Sequence, residues 1–234
     1  PVSGARPKLP PKNEHYLDWI AVLTAAAKAR GVFRMAEFGA GWAPWLVRGA
    51  LAARQRGDVT SCELMAVEAD PTHYSWILEH FDDNGMNPAE HSILHGAVTS
   101  RAGILRFPVV AEPNADYSTS LEDAETATET VNVQGHTVAE LLDQFSGPLD
   151  FLHVDIQGAE YDALAPAIAR LSKSVRAIMV GTHEDRIHED LTTLFENHDW
   201  HEQLNLGRSK TTQTPWGEIK TDDGFLWFEN ARIL

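Results

Sequence analysis

The stretch Glu37-Phe38-Gly39-Ala40-Gly41 joins a predicted strand over residues 32–38 to a predicted helix over residues 42–56. Glycine suits this loop because the chain has to turn tightly there, and because a ligand can approach a backbone that carries no side chain. Two glycines alone are weak evidence for a ligand, since many strand-to-helix turns use them only for turning. The position between a strand and a helix is, however, the context in which such loops bind nucleotides.

Strand and helix patterns alternate along the chain on both sides of this loop. They predict further strands over 62–68, 92–94, 103–110, 149–154 and 175–180, and helices over 13–30, 71–85, 138–145, 158–171 and 191–198. Such alternation is typical of a parallel sheet covered by helices. The last two strands, 203–206 and 224–229, are joined by a turn-rich loop without a helix, so we expect an antiparallel pair. The predicted fold class is α/β, a Rossmann-like doubly wound mixed sheet, mostly parallel with a reversed strand at the C-terminal end.

The composition restricts the classes of partner. The chain has 234 residues, enough for one α/β domain, and a net charge of −15 from 19 basic and 34 acidic side chains. This charge repels DNA and RNA, so no nucleic-acid partner is expected. No apolar run approaches the ~20 residues of a membrane span, so no membrane association is expected either. The single cysteine, Cys62, and the lack of a secretory signal favour a cytoplasmic location.

Two acidic residues near the glycines distinguish between possible ligands. Glu37 ends a buried strand, where a carboxylate is costly unless a cationic or donating group meets it. Glu68 ends the next strand, where a carboxylate can accept both hydroxyl hydrogens of a ribose. Glu37 would repel a pyrophosphate, and Pro44 stands where a dinucleotide loop carries its third small residue. S-adenosylmethionine, with an ammonium group, a positive sulfur and no phosphate, therefore fits better than NAD; turn glycines beside two solvated acids are the structural alternative.

Four motifs, in order along the chain, resemble those of class I S-adenosylmethionine-dependent methyltransferases. They are the loop at 37–41, Val67-Glu68-Ala69-Asp70-Pro71, Leu94-His95-Gly96-Ala97-Val98 and His153-Val154-Asp155-Ile156-Gln157-Gly158-Ala159-Glu160. The Asp-x-x-Gly-x-Glu pattern of the last motif resembles the FkbM-like family, which consists mainly of small-molecule O-methyltransferases. The resemblance covers about residues 33–184. Its one departure is Ala43, where many related loops carry a third glycine.

The resemblance implies a role for each matching position. Glu37 would act on the methionine end of the cofactor, Gly39 and Gly41 would shape the loop, Glu68 would bind the ribose, Ala97 would line the adenine edge, and Asp155 is a further candidate contact. The expected organisation is a lead-in and capping helix over residues 1–31, followed by a single methyltransferase domain over residues 32–234.

Candidate catalytic residues follow two neighbouring strands. Asp155 and the cluster His183-Glu184-Asp185 should face one cleft, because ligands bind beyond the carboxyl ends of parallel strands. Methyl transfer to a hydroxyl needs aligned reacting atoms and a base for the hydroxyl proton, and Asp155 and His183 are the candidates for that base. Alternatively, Asp155, Glu184 and Asp185 hold a Mg²⁺ that binds a diol and lowers its pKa. A solvated acidic loop that begins the next helix is the structural alternative.

The predicted function is therefore S-adenosylmethionine-dependent O-methylation of a small hydroxylated molecule, such as a sugar or a natural-product intermediate. An NAD(P)-dependent oxidoreductase and a non-catalytic methyltransferase-like binding domain are the alternatives. His153 and Glu160 are interpreted as structural residues. The acidic stretch around Tyr117 and the N-terminal helix around Tyr16 are expected to determine which acceptor binds.

Overall fold

The computed structural model of the protein describes residues 10–233. Its helices and strands are, in chain order, α1 (Glu14–Lys28), β1 (Gly31–Phe38), α2 (Pro44–Arg54), β2 (Val59–Glu68), α3 (Pro71–Asp83), β3 (Ser92–Val98), β4 (Gly103–Pro108), β5 (Thr130–His136), α4 (Val138–Leu142), β6 (Phe151–Val154), α5 (Glu160–Leu164), α6 (Ile168–Ser174), β7 (Ala177–Thr182), α7 (Asp185–Glu196), β8 (Trp200–Leu206), β9 (Lys210–Thr214), β10 (Gly217–Thr221) and β11 (Gly224–Asn230).

Nine of the strands in the described residues form one sheet, in the order β4-β5-β3-β2-β1-β6-β7-β11-β8. The run from β5 to β7 is parallel throughout. β11 is antiparallel to both of its neighbours, β7 and β8. The predicted α/β, mostly parallel sheet is thus confirmed, with the reversed strand lying between β7 and β8. A second reversed strand, β4, borders the opposite edge of the sheet.

The two faces of the sheet bury different helices. Along β1, Phe33 and Met35 join the apolar cluster beneath α1, α2 and α3, whereas Ala36 and Phe38 join the cluster beneath α4 to α7. This separation follows from the period of two along a strand, which points successive side chains to opposite faces. The same period places Glu37 on the face that α1 and α2 cover.

Three parts of the fold differ from the sequence prediction. The sequence pattern did not predict β5, whose residues pair with both β3 and β4. The segment 207–223 was expected to be a loop, but it contains the antiparallel hairpin of β9 and β10. The predicted helix over 158–171 is also interrupted, since a 3-10 turn at Ala165–Ala167 contains Pro166 and separates α5 from α6.

Helices α1 and α3 begin in different ways. The Asp70 side chain accepts hydrogen bonds from the backbone N–H groups of Thr72 and His73, and Pro71 is the first residue of α3. Asn13 precedes α1 and makes no capping hydrogen bond through its side chain. α1 nevertheless packs into the core through Leu17, and the division of the chain at residue 31 stays a prediction. No helix within residues 10–233 is both long and apolar enough to span a bilayer.

Candidate active site

A cavity of about 520 Å³ opens at the carboxyl ends of the central parallel strands. Its wall includes every residue that the sequence predicted to contact the cofactor: Glu37, Gly39, Gly41, Glu68, Ala97 and Asp155. Positions up to 118 residues apart in the chain meet there because β1, β2, β3 and β6 are neighbours in one parallel sheet. The sequence-predicted contacts are therefore brought together, although their role in cofactor binding stays a prediction.

Both glycines of the loop over residues 37–41 have a positive φ, which favours glycine over other residues. Gly39 has φ +70°, and a Cβ at this position would overlap the backbone carbonyl oxygen of Asp155. Gly41 has φ +54°, and its backbone N–H donates a 2.7 Å hydrogen bond to the Glu68 carboxylate. The loop thus lies tightly against the end of β6, and it is fixed to the end of β2 by a charge-assisted hydrogen bond.

The Glu68 carboxylate is buried at the end of β2. One of its oxygens accepts from Gly41 N–H, and the other accepts from Asp70 N–H, each at 2.7 Å. Burial raises the pKa of Glu68, against these two hydrogen bonds that lower it. A carboxylate has about four lone-pair positions, so two acceptor positions are left for a diol facing the cavity.

Glu37 is buried beneath the N-terminus of α2 and is 1% exposed. Its carboxylate accepts a 2.7 Å hydrogen bond from the backbone N–H of Leu46. Burial raises the pKa of Glu37 to about 7, although the positive charge of His153 and the N–H groups of Leu46 and Trp45 oppose that rise. Glu37 is therefore an acid whose ionised form is stabilised by any further cation that enters the cavity.

His153 lies beside Glu37 and is the third member of a buried polar group. It is directly opposite Glu37 in the pairing of β1 with β6, and its Nε2 lies 3.7 Å from an Asp18 oxygen on α1. Burial by itself would lower the pKa of His153, but the carboxylates of Asp18 and Glu37 outweigh burial and raise it. Neither ring nitrogen of His153 has a hydrogen-bond partner within the described residues. His153, interpreted from the sequence as a structural residue, is thus buried in the cavity wall with hydrogen-bonding capacity that the described residues do not satisfy.

A second polar group lies at the ends of β6 and β7. The Nδ1 of His183 is 2.8 Å from a carboxylate oxygen of Glu160, and its Nε2 is 3.3 Å from an Asp155 oxygen. The Glu160 carboxylate also accepts from the backbone N–H groups of Ile156 and Gly158. Asp155 lines the cavity and its side chain is 42% exposed, whereas the His183 side chain is 15% exposed and lies behind it.

The pKa values of this group are mutually dependent. Burial raises the pKa of Asp155, and the charge of His183 opposes that rise. Burial acts to lower the pKa of His183, but the hydrogen bond to Glu160 and the charge of Asp155 raise it overall. A protonated His183 between two carboxylates is the state that these interactions favour. The sequence interpretation of Glu160 as merely structural missed this contact.

The structure does not bring the predicted metal ligands together. Glu184 and Asp185 are exposed where α7 begins, with Glu184 in the capping position. Within the described residues, the group whose ligand atoms lie close enough to share an ion consists of Asp155, Glu160 and His183. Glu160 in that group is already occupied by hydrogen bonds from His183 and two backbone N–H groups. The predicted Mg²⁺ site at Asp155, Glu184 and Asp185 is therefore not formed, because the chain turns into α7 directly after His183.

The segment around Tyr117 covers the Glu68 end of the cavity. The Tyr117 ring stacks on the His73 ring with a centroid distance of 4.5 Å and an interplanar angle of 2°. His73 Nε2 also lies 2.9 Å from the backbone oxygen of Pro113, which holds the segment against α3. A Cβ on Gly41 would lie 3.4 Å from the Tyr117 ring. Tyr117 is thus a wall of the half of the cavity nearest Glu68.

Comparisons with known proteins agree with this geometry. A sequence model of the FkbM methyltransferase domain matches residues 50–209, which leaves the loop at 37–41 outside the match. Over 232 residues the chain is 30% identical to a protein of Jannaschia sp. (strain CCS1) named "Putative methyltransferase", with 95% of this chain and 82% of that protein covered.

Two solved structures share the fold. The methyltransferase FkbM of Methylobacillus flagellatus KT has a TM-score of 0.53 at 15% identity, covering 86% of this chain and 45% of that one. The precorrin-6Y C5,15-methyltransferase of Geobacter metallireducens GS-15 has a TM-score of 0.51 at 12% identity, covering 96% of this chain and 93% of that one. At these identities the likeness concerns the fold alone.

Proposed function

The chain belongs to the FkbM methyltransferase family, and on that premise we propose that it methylates a hydroxyl group of a small molecule, such as a sugar or a natural-product intermediate. Family membership makes it a methyltransferase and implies S-adenosylmethionine as the methyl donor. Neither an oxidoreductase nor a non-catalytic binding domain is favoured by that membership. The hydroxyl acceptor is the part of the proposal that depends on the residues of this chain.

The observation that carries the proposal is the half-exposed Asp155 carboxylate, which faces the cavity with His183 and the buried Glu160 behind it. A hydroxyl becomes a better nucleophile when a positioned base takes its proton, and such a base typically contributes about 10²- to 10⁴-fold to the rate. Asp155 also adjoins Gly39, so the base lies beside the loop that is proposed to hold the cofactor. An acceptor oxygen can therefore be held between the base and the methyl donor.

The residues of the cavity fit S-adenosylmethionine in their chemistry. Glu37 would face the ammonium group, since a cation relieves the cost of burying this carboxylate. Glu68 would accept from the ribose hydroxyls, and Gly39 and Gly41 would leave room for the ligand to approach the loop. Ala97 would line the adenine side. When bound, the cofactor supplies an electrophilic methyl group on a positive sulfur that leaves as a neutral thioether.

Three residues of the second polar group have distinct proposed roles. Asp155 contacts the acceptor hydroxyl and takes its proton. The positive charge of His183 favours the ionised form of Asp155. Glu160 orients the His183 ring through the hydrogen bond at Nδ1. The base in this proposal is thus Asp155 rather than His183, because His183 lies behind Asp155 as seen from the cavity.

The surroundings of the site are consistent with a small acceptor. A net charge of −15 makes a nucleic-acid substrate unfavourable. A single cysteine in the whole sequence suits a reducing compartment, and we propose a cytoplasmic location on that ground.

The test is turnover of a panel of hydroxylated acceptors, among them sugars, sugar acids, phenols and hydroxy acids. Formation of S-adenosylhomocysteine and of the methylated product is measured by mass spectrometry. We expect Asp155→Asn to lower kcat by about 10²- to 10⁴-fold while S-adenosylhomocysteine still binds in calorimetry. Asp162→Asn, an exposed acid on α5, is the matched control and should leave kcat unchanged.

Two results would overturn the proposal. One is the methylation of nitrogen or carbon nucleophiles by the wild-type protein with no turnover of any hydroxyl in the panel. The other is full activity of Asp155→Asn on a hydroxyl acceptor, which would leave the arrangement of Asp155, His183 and Glu160 without a role in the proton transfer.

A further inference from the structure

The guanidinium group of Arg48 lies among three indole rings in the cavity wall. Its central carbon is 4.7 Å from the ring centroid of Trp19, 4.7 Å from that of Trp45 and 5.4 Å from that of Trp42. Trp19 belongs to α1, Trp45 and Arg48 belong to α2, and Trp42 lies in the loop directly after Gly41. Cation–π contacts of this kind hold a guanidinium by its faces and leave its edges, where the N–H donors are, for other partners.

Those donors have no acceptor in the part of the chain that the structure describes. Among the side chains described for residues 10–233, none forms a hydrogen bond or an ion pair within 4 Å with Arg48, although most other arginines of the chain have such a partner. A guanidinium carries five N–H donors, and its fork geometry matches the two oxygens of a carboxylate. Arg48 is also partly buried, and burial lowers its pKa, so that it has lost part of its hydration without gaining a hydrogen-bond acceptor among the described residues.

The position of Arg48 in the cavity defines what could reach it. The wall of the cavity includes Arg48 and Trp19 together with Glu37, Glu68 and Ala97. Glu37 and Asp18 are near enough for their charges to raise the pKa of Arg48, but neither carboxylate is within ion-pair distance. Among residues 10–233, Arg48 is thus a cation without an ion-pair partner, and it lines the same cavity as the residue that is proposed to meet the cofactor ammonium.

We propose that Arg48, held between Trp19, Trp42 and Trp45, is the carboxylate-binding residue of this cavity. The inference rests on the proposed methyltransferase function, because the carboxylate comes either from the methionine end of the cofactor or from an acidic acceptor. In both cases the edges of the guanidinium bind the two oxygens, and the indoles exclude water and keep the side chain in place. The aromatic wall also offers flat apolar surface to the body of an acidic acceptor.

The first arm of the test asks whether the carboxylate belongs to the cofactor. Binding of S-adenosylmethionine and of decarboxylated S-adenosylmethionine, which keeps the ammonium group and the sulfonium, is measured by calorimetry. If the cofactor is the source, the wild type prefers the carboxylated ligand by about 10- to 100-fold, as expected for hydrogen bonds between charged groups. Arg48→Met, which keeps an apolar stem against the indoles, then abolishes that preference.

The second arm asks whether the carboxylate belongs to the acceptor. Protein saturated with S-adenosylhomocysteine is titrated with 2-, 3- and 4-hydroxybenzoate and with the corresponding amides. If the acceptor is the source, the acids bind to the wild type more tightly than the amides do. Arg48→Met weakens binding of the acids by about 10- to 100-fold, leaves the amides unchanged, and leaves the two forms of the cofactor unaffected.

Controls separate a local effect from a change in folding. Arg54 lies on the exposed side of the same helix, so Arg54→Met should leave ligand binding in both arms of the test unchanged. Arg48→Lys keeps the charge but not the forked geometry, so it should recover part of the preference, and it serves if Arg48→Met fails to fold. Unfolding midpoints of all the variants are compared.

The inference is overturned if Arg48→Met and Arg48→Lys fold and neither arm shows a carboxylate preference that depends on Arg48. Arg48 would then only balance the charges of Glu37 and Asp18. Failure of the proposed function looks different, because wild-type protein would then turn over no hydroxyl of the acceptor panel, whether or not its ligand binding shows a carboxylate preference that depends on Arg48.

Discussion

The Nδ1 of His183 lies 2.8 Å from the carboxylate of Glu160, which is completely buried. Glu160 follows β6 and His183 follows β7, so the contact joins the ends of two adjacent parallel strands. A buried carboxylate would be costly without such a partner, and His183 supplies it together with two backbone N–H groups. The contact also fixes which nitrogen of His183 faces Asp155.

Replacing Glu160 by Gln should change the pH dependence of turnover. Gln keeps an oxygen that can accept from the backbone, but it removes the charge that raises the pKa of His183. The pKa of His183 then falls, and Asp155 loses part of the positive charge that lowers its own pKa. We expect the acid limb of the kcat profile to move to higher pH and kcat at pH 7 to fall by about 10- to 100-fold.

The measurement is a pH–rate profile on any acceptor that the panel identifies, with Asp162→Asn on the same helix as the control. A purely structural role of Glu160 would lower the unfolding midpoint and leave the shape of the profile as in the wild type. That outcome would contradict a positioning role for Glu160.

Much of this site was predictable because its parts are local in sequence. The loop at 37–41 and the acid Glu68 each follow a strand that the apolar pattern identified, and the parallel sheet then puts the ends of the strands at one edge. The strand β5 was missed because its residues are mostly polar, although Val131 and Val133 alternate with polar neighbours and gave a weak signal of period two.

The contacts that decide the chemistry were not predictable in the same way. His183 and Glu160 are 23 residues apart, and their contact depends on the order of β6 and β7 and on the turn that precedes α5. Likewise, the grouping of Trp19 with Arg48 depends on how α1 packs on α2. Single-sequence patterns describe which face of an element is apolar, but they do not describe which side chains of two packed elements meet.

Gly39→Ala should disable the cavity. The added Cβ would overlap the carbonyl oxygen of Asp155, and the φ of +70° is unfavourable for alanine. Either the loop or the end of β6 has to move, so we expect S-adenosylhomocysteine binding to weaken by at least tenfold and the unfolding midpoint to fall. Gly57→Ala is the control, because nothing lies within 4 Å of a Cβ there. Wild-type affinity in Gly39→Ala would show that the loop does not contact the ligand.

Cofactor affinity should rise with pH through about 7. Burial raises the pKa of Glu37 to about 7, so below that pH it is mostly neutral and attracts an ammonium group weakly. Protonation of His153 also lowers the affinity for the ammonium group at low pH, because it adds a positive charge beside Glu37. The opposite charges of Asp18 and Arg48 partly cancel in their effect on the ammonium group. Calorimetry of S-adenosylmethionine at pH 6 in two buffers of different ionisation enthalpy should detect release of protons on binding.

Glu37→Gln is the variant that tests this pH dependence. It should weaken binding at pH 8 and remove most of the change in affinity between pH 6 and pH 8. A wild-type affinity that is constant over this range would mean that the cofactor ammonium is bound elsewhere.

The same substitution should stabilise the protein without ligand. Glu37 has an ordinary pKa of 4.5 and a folded pKa of about 7, so between these values the folded state binds more protons than the unfolded state. The free energy of unfolding therefore decreases as pH rises from 4.5 to 7, and it stays reduced above 7. Each unit of pKa corresponds to about 1.4 kcal/mol, and Gln keeps an acceptor for the Leu46 N–H group, so Glu37→Gln should gain about 1–3 kcal/mol at pH 8.

Denaturant unfolding of the wild type and the variant at pH 5 and pH 8 measures this gain in the free energy of unfolding. It should be small at pH 5, where Glu37 is neutral in the folded protein, and a loss of stability at pH 8 would contradict the burial cost assigned to Glu37.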